Sequence, residues 1–76
     1  MRIDLHGYHI HTAWRHFNNS VTEAYFAGYK KCTVITGQGA MMREFQTWAA
    51  NHPRIRDCVQ NPKNLGSFTI KLNKRG

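Results

Sequence analysis

The run KKCTVIT, residues 30–36, decides most of what this chain can fold into. It is rich in β-branched residues and too short for a helix, so it reads as a buried strand. Patterns of a different period flank it on both sides. Upstream, Ala13, Phe17, Val21, Ala24 and Gly28 recur at helical spacing and share one face. Downstream, Met42, Phe45, Trp48 and Ala49 form a second stripe within AMMREFQTWAAN. The short alternating run RIDL at 2–5 precedes the first helix. Strand, helix, strand then requires a right-handed crossover, which leaves the first two strands parallel.

Local signals set the boundaries. Thr12 is the expected N-cap of the first helix, through its hydroxyl, and Gly28 the left-handed residue that ends it. Proline disfavours helical backbone in the residue before it, so His52-Pro53 stops the second helix. RIRDCVQ at 54–60 reads as a third strand, NPKNLG as turn, and SFTIKL at 67–72 as a fourth strand in a hairpin. The expected fold is α/β: a two-layer β-α-β-α-β-β sandwich, one four-stranded mixed sheet with two helices on one face, and a single domain over residues 1–76.

A chain of 76 residues buries only about 60–65% of its unfolded surface, so its core is small. No apolar run approaches the ~20 residues of a membrane span. No secretory signal is visible, because the sequence turns polar at Asp4 and His6. Cys32 and Cys58 lie in apolar strand-like stretches and are expected to be reduced core thiols. Together these features predict a cytoplasmic protein, and a monomer is expected. Eleven Lys and Arg oppose four Asp and Glu, a net charge of +7 that concentrates polyanions around the domain. The cations are spread through loops and strands, at Lys30, Lys31, Arg54, Arg56, Lys63, Lys71, Lys74 and Arg75, and not along one amphipathic helix. That distribution favours nucleic acid over a membrane surface as partner.

Ligands of open α/β sheets bind beyond the carboxyl ends of the parallel strands. His6-Gly7 and Gly37-Gln38-Gly39 occupy those ends and are expected to meet. The segment TGQG, Thr36 to Gly39, joins a strand to a helix, so its N–H groups can hold a phosphate, with Arg43 one turn further as a forked donor. Glycine there also has a purely structural reading. Asp4 and His6, two apart on a strand, share a face. An Asp can orient an imidazole, and imidazoles exchange protons near neutral pH. Pattern alone leaves open that Asp4 instead bonds a nearby backbone N–H and that His6 is a turn residue. A metal site from His6, His9 and His11 lacks a completing carboxylate or thiolate and the spacing of a helical zinc motif, so no metal ligands are assigned. Tyr8 adjoins this rim and is a candidate base-stacking residue.

IDLHG at 3–7, Ala27-Gly28, TVITGQG at 33–39 and IKL at 70–72 after Gly66 resemble, in order and spacing, the Smr (small MutS-related) domain, stand-alone bacterial or phage type. The resemblance runs over essentially the whole chain. It implies a nucleic-acid endonuclease acting on RNA, including messenger RNA on stalled ribosomes, or on DNA, by nicking or on branched forms. In that family the Asp-x-His signature, here Asp4 and His6, is associated with cleavage. The Gly-x-Gly loop, here Gly37, Gln38 and Gly39, is implicated in binding or activity. Gly7, Thr36, Arg43 and Lys63 complete the expected nucleic-acid contacts. Two departures stand out: Gln38 where relatives often carry a base, and one glycine, Gly66, where they often have two or three. Cleavage of RNA through its 2′-hydroxyl needs no cofactor, whereas DNA calls for a divalent ion such as Mg2+ or Mn2+, with Asp4 as candidate ligand. The alternative is a binding module without catalysis, recognising nucleic acid or a ribosomal surface.

Overall fold

The computed structural model describes residues 1–74. Its elements are β1 (Arg2–Asp4), α1 (Ile10–Ala27), β2 (Lys31–Ile35), α2 (Ala40–Asn51), β3 (Ile55–Asn61) and β4 (Asn64–Leu72), with the sheet ordered β1-β2-β4-β3. β1 runs parallel to β2, and β4 is antiparallel to both of its neighbours, the mixed sheet expected from the crossover and the hairpin.

One face of the sheet carries the core. Ile3, Val34 and Phe68 stand side by side on neighbouring strands, as do Cys32 and Ile70. Ala13, Phe17, Val21 and Ala24 of α1 and Phe45 and Ala49 of α2 close over them. Phe45 sits at the centre, edge-on to Phe17 at 5.0 Å and tilted against Phe68 at 4.8 Å. Each ring fully removed from water contributes about 1.5–3 kcal/mol, so this trio anchors the two layers. The opposite face is open, with Arg2, Lys31 and Thr33 exposed. Cys32 and Cys58 are free, and both pair with Ile70 from opposite sides. They therefore lie two strand spacings apart, about 10 Å, too far for a disulfide. Burial, and secondarily the Asp57 charge, pushes the Cys58 thiol up to about 11.

Two boundaries differ by more than one residue from the expectation. α1 starts at Ile10 with His9 as its N-cap and no side-chain cap bond, so Thr12 lies inside the helix. β4 starts at Asn64, which narrows the turn to Pro62-Lys63. The extra length arises because the β3–β4 register jumps from Gln60↔Phe68 to Asn61↔Asn64, leaving Leu65, Gly66 and Ser67 as a detour in β4. Gln60 donates to the Leu65 carbonyl at 2.9 Å and the Gly66 N–H to the Asn64 side chain at 3.2 Å, which hold the detour in shape. The expected end of α1 is observed: Gly28 has φ 89°, and the N–H of Tyr29 closes back on the Ala24 carbonyl at 3.0 Å.

Candidate active site

The carboxyl ends of β1 and β2 carry the two signatures to one rim. The parallel ladder runs to its last bond, Leu5 N–H to the Ile35 carbonyl at 2.7 Å. Beyond it the chain turns at His6-Gly7, where Gly7 takes φ 87°. The His6 ring lies directly on Gly37: a Cβ added there would stand 2.8 Å from its Cδ2. Residues 31 positions apart thus meet, as the topology requires.

Asp4 is not bonded to that ring. Its Oδ1 accepts the backbone N–H of His6 at 3.0 Å, closing a turn of the kind in which an Asp side chain caps its own backbone two residues on. Asp4 therefore fixes where the His6 backbone sits, in place of the expected orientation of the imidazole.

The glycine loop is held by Gly66, whose carbonyl accepts the N–H of Thr36 at 2.7 Å, the N–H of Gly37 at 3.2 Å and approaches the Thr36 hydroxyl at 3.2 Å. A Cβ on Gly66 would fall 2.7 Å from the Gly37 carbonyl carbon, so the two backbones are packed as closely as hydrogen at Cα permits. These bonds occupy the buried Thr36 and the Gly37 N–H, both expected to face a phosphate. The exposed Gln38 and Gly39, where the backbone reaches φ 136°, and the first turn of α2 remain open to an anion. α1 also starts on this rim, and neither helix has a side-chain cap bond or an acidic residue in its first turn. Two positive helix ends therefore face the same solvent. Arg43 is exposed one turn into α2, and Lys63 at the hairpin tip projects from the same end of the sheet.

His9 is the α1 N-cap, His11 is exposed in the first turn, and His16 packs its ring 5.4 Å from that of Tyr8. Among the described residues no group of three or more His, Cys, Asp and Glu side chains could hold a metal ion. One Asp4 oxygen is already in the turn, so the other is the carboxylate oxygen that a divalent ion held mainly by water and substrate phosphates would use. Grooves of about 430–470 Å³ lie elsewhere on the molecule, and none is lined by Asp4, His6 or the 36–39 loop. His6, Gln38, Gly39 and Arg43 are all exposed on this rim.

Gly66 is the site residue that sequence reasoning left without a role. A glycine inside a strand pattern signals a bulge or a close backbone approach, and that signal was present.

The fold defines a class, the small α/β domains in which two loops meet beyond the carboxyl ends of a parallel strand pair. The Smr domain model matches residues 3–72, and the chain belongs to that family. It is 33% identical over 75 residues to Endonuclease MutS2 of Shouchella clausii (strain KSM-K16), a match covering 92% of this chain and 10% of that protein. The chain thus spans about a tenth of that relative's length. The crystal structure of the Smr domain of Thermus thermophilus MutS2 has the same fold, with a TM-score of 0.89 over 95% of this chain and 96% of that one at 17% identity. No helix among the described residues is long and apolar enough to cross a membrane.

Proposed function

We propose that this domain is a nucleic-acid phosphodiesterase in which His6 moves the proton. The observation that carries the reading is the His6 ring seated on Gly37, beside the free amides of Gln38, Gly39 and the α2 N-terminus. A phosphate drawn to those amides lies within reach of the imidazole. On RNA, the imidazole takes the proton of a 2′-hydroxyl, whose oxygen bonds to the adjacent phosphorus to form a 2′,3′-cyclic phosphate as the bond to the 5′-oxygen breaks. The released 5′-oxygen takes a proton from solvent water, and the hydroxide left behind collects the proton held on the imidazolium. The amides and Arg43 stabilise the charge gathered on the phosphoryl oxygens. Asp4 acts as a positioning residue through the His6 backbone. RNA is the favoured substrate, because the chemistry needs only groups this rim carries.

A second reading, a nucleic-acid or ribosome-binding module without catalysis, is favoured by one observation: the Asp4 carboxylate is spent on backbone and leaves the imidazole without an acidic partner. Labelled single- and double-stranded RNA and DNA, incubated with wild type and His6→Ala with and without EDTA, separate the two. General acid–base catalysis predicts that the substitution slows cleavage by about 10²–10⁴-fold while binding persists. Binding without cleavage by either protein leaves the second reading. Cleavage that survives the substitution intact removes His6 from the mechanism.

A further inference from the structure

The cations that look scattered in sequence are gathered in space, and mostly not at the His6 rim. Lys31 opens β2 and Lys71 lies directly across from it on β4. The Leu72 N–H bonds the Lys30 carbonyl at 2.9 Å, and the Asn73 N–H bonds the Arg54 carbonyl at 2.8 Å. Antiparallel pairing thus returns Lys71 and Lys74 to Lys30 and Lys31, forty residues earlier. The break between Ile55 and Asp57 in the β3 ladder redirects Arg56 to the same end, as a bulge does. Together these side chains line a groove of about 470 Å³ with Tyr29, which is half exposed and pinned by the helix-ending turn.

Among the described residues, no acidic side chain lines this groove. Asp57 lies across from Lys71, but its Oδ1 accepts the Cys58 N–H at 2.9 Å. Lys31 and Lys71 are like charges on directly opposed positions, a repulsion that Asp57 on the far side of Lys71 offsets in part and that a bound anion relieves further. Cations interleaved with an exposed aromatic ring suit a strand whose phosphates run along the charges while a base stacks on the ring.

We infer that this groove, at the amino-terminal end of β2, is a second nucleic-acid site that grips the phosphodiester backbone away from His6. The inference rests on the nucleic-acid reading above. The longest dimension of the domain is 35 Å, which about ten base pairs span at 3.4 Å each, so one polymer can reach both ends. The groove holds the substrate and the rim cuts it.

The test compares wild type with a fourfold variant, Lys30→Ala, Lys31→Ala, Lys71→Ala and Lys74→Ala, and with its fourfold Lys→Arg counterpart. Fluorescence anisotropy follows binding of labelled single-stranded RNA and duplex DNA, each of about 12 nucleotides per strand, across a salt series. Losing four phosphate contacts lowers the single-strand slope of log K against log salt by about 3, and affinity falls by about 10–10²-fold at moderate salt. The Lys→Arg variant restores both. KM for cleavage rises while kcat holds, the reverse of His6→Ala. Circular dichroism and melting verify the fold. Should the fourfold variant not fold, the exposed pair Lys30→Glu and Lys74→Glu carries the same comparison. Unchanged affinity and slope in a folded variant overturn the groove and leave the rim reading standing. A wild type that binds neither probe overturns both.

Discussion

Where β1 and β2 end, the chain places three glycines at positive φ, Gly7, Gly37 and Gly39, and a fourth, Gly66, in close backbone contact. Where those strands begin, one positive-φ glycine, Gly28, ends a helix and the cations collect. The first end is built from main-chain geometry and the second from side-chain charge. An added methyl group should therefore injure the first, and added salt the second.

Gly66→Ala presses hardest on this contrast. Its Cβ would stand 2.7 Å from the carbonyl carbon and 2.8 Å from the Cα of Gly37, and a backbone cannot swing aside as a side chain can. We expect a loss of about 2–3 kcal/mol in urea unfolding, together with loss of cleavage and an unchanged salt dependence of binding. An unaltered midpoint would show that the two backbones are not in the contact described. Gly37→Ala costs less, about 1–2 kcal/mol for the left-handed backbone at φ 70°, because the His6 ring it strikes can rotate away. That rotation takes the imidazole off its position, and cleavage should fall by about 10²-fold. Gly28→Ala carries a similar backbone cost with no neighbour within 4 Å, and should keep the wild-type kcat. Equal activity in the two variants breaks the contrast.

Asp4 sharpens it further. Asp4→Ala removes the bond that closes the turn and should cost about 1 kcal/mol, with slower cleavage. Asp4→Asn keeps the acceptor oxygen and should preserve both. If Asp4→Asn folds normally yet fails to cleave, the carboxylate charge acts on the chemistry itself.

The smallest effect lies beyond the end of α2. The Arg54 N–H donates to His52 Nδ1 at 3.1 Å, so Nε2 carries the hydrogen and donates to Asn18 Oδ1 at 2.8 Å. Burial first, and the Arg54 charge second, hold the His52 pKa below its ordinary 6.5. A lowered pKa means that the fold favours the neutral ring. Its contribution is fully present above pH 6.5 and fades as pH falls through the lowered value. The stability gap between wild type and His52→Gln, measured by urea titration, should narrow on acidification. A gap that widens would reverse the assignment.

Periodicity made both helices and all four strands legible, because one-sided burial imposes it directly. The start of α1 was hidden because His9-Ile10-His11 offers neither an apolar stripe nor a capping side chain, while Thr12 mimics one. The start of β4 was hidden because Leu65-Gly66-Ser67 breaks the alternation that defines a strand. The meeting of His6 with Gly37 followed from topology, whereas the direction of the Asp4 carboxylate did not, since one backbone N–H outcompeted the imidazole. The clustering of Lys30 and Lys31 with Lys71 and Lys74 was not legible, because it depends on register and not on local pattern.

The Gly66 carbonyl gathers two N–H donors from the neighbouring loop, the Thr36 hydroxyl beside them donates to the Gly37 carbonyl at 2.8 Å, and every atom in that junction except this hydroxyl is main chain. Side-chain truncation cannot delete a carbonyl oxygen or an amide hydrogen. Truncating the surrounding side chains would therefore leave the joint between the hairpin and the glycine loop in place, whereas a Cβ added at Gly66, or an ester in place of the Thr36 or Gly37 amide, would expose it. The same property frees the surrounding side chains to change. A rim fastened by peptide groups keeps its shape under extensive sequence drift, provided that hydrogen remains at two α-carbons.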